Sequence, residues 1–283
     1  MARRRLVFFA VAGLALAAIG VAGWYWLQVR FPARETAIAG TPFTLHIQDG
    51  VGSGEEAFVR RGLLLEQRYL WRVLGEPVHG PVEVRIADGS PCHAFTEPAG
   101  TGATGVAQDG FLCVDTRTPS WRTIVRDDHV LATGISAHEL VHVWQAEHGC
   151  LPDPDAHRYR WLVEGMATDL AWRAQIAAGT ATRRDAARVA RQATASVGDL
   201  RQYERRGGSD AEYALFQQAV ADLVVRAGQP AALGRFCAMV GDGTDWRAAF
   251  RAAFGLPVER FYDDFQRQRA AGFATTGGAQ SYG

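Results

Sequence analysis

Apolar and polar residues alternate in short stretches before residue 115, and apolar residues recur at helical spacing almost everywhere beyond residue 128. Phe43, Leu45 and Ile47 alternate with polar neighbours, the pattern of a strand with one buried face. Val82, Val84 and Ile86 repeat it, and Phe111 and Cys113, with Val106, mark further strand. Between them, Phe58, Leu65, Tyr69 and Val73 recur at spacings of four or seven, which predicts a helix from Glu55 to Leu74 with that stripe in the core. Gly75 and Pro77 end it. Residues 28–40 read as a linker and 88–110 as a Gly-rich loop. Further on, helices are expected at about 131–148, 158–178, 184–204, 210–227, 230–240 and 257–270, separated by short Gly, Pro or Asp breaks. Residues 271–283, rich in Gly, Ser, Thr and Ala, read as a disordered tail. The expected fold class is α+β.

At the N-terminus the apolar pattern is continuous. Leu6 to Leu27 is long enough to span a bilayer. Arg3, Arg4 and Arg5 precede it, which predicts a cytoplasmic N-terminus, and Trp24-Tyr25-Trp26 closes it like an interfacial belt. A cleaved signal peptide is the rival, since Ala37-Ile38-Ala39 has the form of a cleavage site. The run is too long for a signal core, and the site lies well past its end, so an uncleaved single-pass anchor is expected. Either way the rest of the chain lies outside the cytoplasm. Four cysteines suit that compartment. Cys92 and Cys113 flank the Gly-rich loop and form the expected pair; Cys150 and Cys237 are either free or paired. Basic and acidic residues number 30 each, so no net field points to nucleic acid. Every basic residue is Arg, and without Lys the Gly-rich loop cannot be a phosphate loop of the G-x-x-x-x-G-K-[ST] type.

The candidate chemistry lies at His138-Glu139-Leu140-Val141-His142. Residues four apart on a helix share a face, so both imidazoles can meet one metal ion, with zinc the natural choice. Glu139, about 100° around the helix, can reach a water on that metal and act as general base. A competing possibility is that Ser136-Ala137-His138-Glu139 is a capping box, with Glu139 bonded to backbone N–H. Two residues could supply a third ligand. His148 follows His142 at the spacing of the longer motif H-E-x-x-H-x-x-G-x-x-H, but Gln145, a good helix former, stands where that motif turns on Gly. Glu164 lies in Trp161-Leu162-Val163-Glu164-Gly165-Met166-Ala167, with Gly149 and Pro152-Asp153-Pro154-Asp155 supplying a helix stop and loop between. Glu164 is the better candidate.

His138-Glu139-x-x-His142 followed by Trp161-Leu162-x-Glu164-Gly165-x-Ala167 resembles the gluzincin metallopeptidases, and more narrowly the small peptidase MA-like domains of bacterial proteins. The resemblance extends loosely over residues 80–268, through Tyr213-x-x-Phe216, Trp246-Arg247-x-Ala249-Phe250 and Phe254-Gly255-Leu256. It implies one zinc per chain on His138, His142 and Glu164, with Glu139 as general base in hydrolysis of a peptide or protein substrate. It also implies a helical lobe whose first helix faces Tyr213 toward the metal, and a sheet edge near 105–114 along which substrate pairs. The departure from the family lies at Thr168, where an acidic residue usually holds a ligand histidine. Either Thr168 substitutes, or Asp169 reaches in. No G-x-M-E-N signature precedes the motif, which weighs against a typical aminopeptidase.

The expected organisation is a cytoplasmic Arg cluster and anchor (1–29), a small mixed-sheet α+β lobe (30–128), zinc-binding helices with a helical C-terminal lobe (129–270) and the tail. The expected location is the bacterial inner membrane, with the catalytic part in the periplasm. The alternatives are a catalytically inactive zincin-like assembly module of the cell envelope, and a metzincin-like peptidase using His148.

Overall fold

A computed structural model describes residues 33–89, 92, 104–151, 158–186, 188, 198–205 and 210–271. Three parallel strands, β2 (Phe43–Gln48), β3 (Val82–Ala87) and β5 (Phe111–Asp115), form the middle of a five-stranded mixed sheet. Antiparallel strands β1 (Ala33–Ala37) and β4 (Gly105–Gln108) close its two sides, in the order β1-β2-β3-β5-β4. The alternating residues Phe43, Leu45, Ile47, Val82, Val84 and Ile86 are all buried, as expected. The linker expected at 28–40 is corrected over residues 33–37. They pair with β2 from Ala33 opposite Gln48 to Ala37 opposite Thr44, covering an edge whose backbone groups would otherwise be free.

Helix α1 (Ser53–Leu74) starts where Glu55 reaches back to the Gly52 N–H at 2.8 Å. It stops at Gly75, whose φ of 80° suits only glycine well. Its buried face is Val59, Gly62, Leu63, Glu66, Tyr69 and Leu70. The expected stripe is therefore rotated: Tyr69 belongs to it, while Phe58 and Val73 only flank the core. Gly62 sets the rotation. A side chain there would collide with Ser136 and the Thr133 carbonyl, so glycine lets α1 cross the motif helix at backbone distance.

Beyond the sheet follow helices α2 (Pro119–Asp127), α3 (His129–Glu147), α4 (Arg160–Ala177), α5 (Asp210–Ala227), α6 (Ala231–Gly241), α7 (Trp246–Phe254) and α8 (Val258–Ala270). Two of these, α2 and α7, are helices that apolar spacing does not predict; caps start both, Thr118 before Pro119 and Asp245 before Trp246. The helix expected to run to residue 204 is also corrected. Asp199 is extended and caps a 3₁₀ turn, Leu200–Glu204. One buried cluster runs from Ile38 on the sheet side to Phe265 in α8. Disulfides join Cys92 to Cys113 and Cys150 to Cys237; the second ties the end of α3 to α6. Among the described residues no helix is long and apolar enough to cross a membrane. The expected anchor at Leu6–Leu27, most of the Gly-rich loop and the tail beyond residue 271 lie outside the described residues.

Candidate metal centre

Asp128 starts α3 by accepting the Leu131 N–H at 3.1 Å, two turns ahead of Ser136. Ser136 is thus interior, and its hydroxyl donates to the Val59 carbonyl of α1 at 3.0 Å. The capping-box alternative is overturned, because a helix already running at Ser136 leaves no N-terminal N–H groups for Glu139 to satisfy. Helix α4 then brings Glu164 against the motif. Behind it, Gly165 lies so close to the Phe216 carbonyl and Val220 of α5 that a Cβ would come within 2.5–2.7 Å of them. That close approach sets Tyr213, near the start of α5, beside His138.

His138 Nε2, His142 Nε2 and Glu164 Oε2 converge. The separations are 3.1 Å between the imidazoles, 3.1 Å from His142 to Glu164 and 3.4 Å from His138 to Glu164. His142 and Glu164 are buried and His138 is half-buried. The outer nitrogens are both occupied. Gln145 donates to the Val163 carbonyl through its amide nitrogen at 3.0 Å, so its oxygen accepts His142 Nδ1–H at 2.7 Å. The Thr168 hydroxyl donates to the Glu164 carbonyl at 2.9 Å, so its lone pairs accept His138 Nδ1–H at 3.2 Å. Neutral imidazoles held this way turn both Nε2 lone pairs inward, toward a carboxylate oxygen. Three acceptors with no donor between them repel unless a cation or proton joins them. Tetrahedral zinc, with ligands at about 2.0–2.2 Å, needs donor atoms about 3.3 Å apart, and the three separations fit.

The electrostatics of the three groups favour a positive charge among them. Burial alone would lower the His142 pKa, but the Glu164 carboxylate outweighs it and pushes it up to about 9. Burial would likewise raise Glu164; the charge of His142, both histidine contacts and Arg160 hold it well below the usual carboxylate range. Glu139 shows the opposite balance. Burial raises its pKa, and the neighbouring histidines only partly offset that. Its carboxylate lies against the β4 edge, where a Cβ on Gly105 would come within 2.5 Å of Oε1. The Tyr213 ring lies 6.0 Å from the His138 ring, and burial, with the Glu164 charge, pushes the phenol pKa above its ordinary value. Tyr213 therefore stays a protonated donor.

The structure brings together His138, Glu139, His142, Glu164 and Tyr213. It does not bring His148 to them. That ring stacks on Trp144 at 4.2 Å, and its nitrogens meet the Trp144 carbonyl and Glu76. Of the two candidates to hold His138, Thr168 does so, while Asp169 pairs with Arg173 at 2.6 Å. Gln145, Gly105 and Arg160 are additions that sequence spacing did not single out. Arg160 carried a readable signal: it precedes Glu164 by one helical turn, and its Nε lies 3.0 Å from Glu164 Oε1.

No family model matches the chain. A comparison with curated proteins finds no match. Among solved structures the chain is similar to an M1 zinc metallopeptidase from Deinococcus radiodurans, at 18% identity and a TM-score of 0.48. The match covers 84% of this chain and 50% of that one, so the chain spans about half the length of the structure it matches.

Proposed function

We propose that this chain is a zinc-dependent peptidase that hydrolyses peptide bonds outside the cytoplasm, held at the membrane by Leu6–Leu27. The observation that carries the reading is the convergence of His138 Nε2, His142 Nε2 and Glu164 Oε2 at zinc-ligand separations, with Glu139 beside them. A zinc ion there would polarise the scissile carbonyl and acidify the attacking water. Glu139 would serve as the general base and acid, taking a proton from the attacking water and returning it to the leaving amine. Burial raises its pKa above that of an exposed carboxylate, which makes it a stronger base. Tyr213, a protonated phenol at the same opening, donates to the developing oxyanion. The edge of β4, next to Glu139, offers backbone groups to an extended substrate. The two disulfides support an oxidising compartment.

The test is cleavage of a mixed peptide library by the zinc-loaded full chain and by Glu139→Gln. Glutamine keeps the size of glutamate but cannot accept the proton. Cleavage should fall by about 10²–10⁴-fold while zinc content and melting temperature hold. Equal cleavage by both proteins would overturn the mechanism, and a protein that binds zinc but cuts no peptide would be the inactive assembly module instead.

A further inference from the structure

We infer that Arg160 is a positioning residue of the metal centre. From the first turn of α4 it holds the outer oxygen of Glu164, so that the carboxylate presents one oxygen to the histidines. The inference rests on the zinc reading above and adds a residue to it.

The two oxygens of Glu164 have different surroundings. Oε2 faces His142 at 3.1 Å and His138 at 3.4 Å. Oε1 faces Arg160 Nε at 3.0 Å, close enough for an ion pair though not aligned as a hydrogen bond. Glu164 is buried, with its side chain 6% exposed, so the guanidinium rather than bulk water fixes Oε1. A carboxylate free to rotate could offer both oxygens to a metal and occupy the position a substrate needs. An ion pair on one oxygen disfavours that rotation.

Helix energetics do not explain Arg160 at this position. It is the first residue of α4, where the helix dipole disfavours a positive charge. An Arg–Glu pair in this order along the helix is also the weaker arrangement. The gain lies in the site. The Arg160 side chain, 34% exposed, pairs with Glu164 Oε1, and its charge bears on Glu139 and Tyr213 as well. A lysine could neutralise Oε1, but its ammonium on a flexible stem lacks the planar, fixed geometry that holds the oxygen in place.

The experiment measures zinc affinity by chelator competition, and the visible spectrum of the cobalt-substituted full chain, for wild type, Arg160→Met, Arg160→Lys and Glu164→Ala. Arg160→Met should bind zinc about 10–100-fold more weakly and change the cobalt spectrum, because the ligand oxygen is no longer fixed. Arg160→Lys should recover part of the affinity, and it carries the test if the Met variant fails to fold. Wild-type affinity and an unchanged cobalt spectrum in the folded Arg160→Met variant would overturn the inference. Glu164→Ala separates the two levels. Loss of zinc there with no effect at Arg160 leaves the site standing and removes only Arg160. Retention of zinc in Glu164→Ala removes the ligand assignment itself, and the Arg160 inference with it.

Discussion

At the scale of single residues, the site was legible where its chemistry is local. His138, Glu139 and His142 announce themselves because a helix turns a four-residue spacing into a shared face. Glu164 was readable because an apolar helix carries it, with stop and loop signals between. Gln145 was not, since a good helix former in a helix needs no second explanation, and its amide geometry appears only once α4 brings the Val163 carbonyl alongside. Gly105 was hidden for a similar reason: only the packing of β4 against α3 reveals why the strand must lack a side chain there. Gly105→Ala should place a methyl group 2.5 Å from Glu139 Oε1 and displace that carboxylate. Peptide hydrolysis should drop by about 10²-fold, as a misplacement near 1 Å can cause. Zinc content should stay constant, because Gly105 touches no ligand. An Ala variant with full hydrolysis would show that the Glu139 position is not critical.

At the scale of elements, long and strongly periodic segments were read well. Helix α5 spans Asp210–Ala227, the range expected from its pattern, and the strands of the sheet centre lie where alternation puts them. The misses have physical causes. Helices α2 and α7 have nine residues each, too few for a periodic signal to emerge, and only their caps mark them. Strand β1 has little apolar character of its own and gains its conformation by pairing with β2. The face of α1 was misread because Gly62 and Glu66 sit on it, neither of which counts as apolar. Glu66 is fully buried, and no group hydrogen-bonds its carboxylate among the described residues. Burial, with the Asp169 charge added, holds its pKa well above the usual range. The folded protein therefore keeps the Glu66 proton at pH values where the unfolded chain has released it. Stability from this group is present below the unfolded pKa, near 4.5, and is lost as pH rises toward the folded one. Glu66→Gln removes that slope. The difference in melting temperature, Glu66→Gln minus wild type, should be more positive at pH 8 than at pH 5. A constant difference between the two pH values would contradict the burial of an ionisable group here.

At the scale of the whole molecule, the mixed sheet and helices share one core, and the α+β class was legible because strand and helix periods occupy different parts of the sequence. The pairing of Cys150 with Cys237 was not legible, since it depends on α6 returning to the end of α3. Both disulfides suit a domain outside the cytoplasm, and the Arg3-Arg4-Arg5 cluster before the apolar run predicts the same orientation. Protease added to intact spheroplasts should therefore degrade the chain beyond about residue 30 while a cytoplasmic control protein survives. Protection of the C-terminal helices along with that control would overturn the proposed topology.

The ligand set is tested most directly by zinc bound per chain at limiting metal, for the full-length wild type, His142→Ala, Glu164→Ala and His148→Ala. Wild type and His148→Ala should each hold one zinc, because His148 is engaged by Trp144 and Glu76 away from the cluster. His142→Ala and Glu164→Ala should lose most of it, since two remaining ligands hold zinc poorly. Full zinc in Glu164→Ala together with loss in His148→Ala would contradict the site described here and would require a different path for the chain after α3.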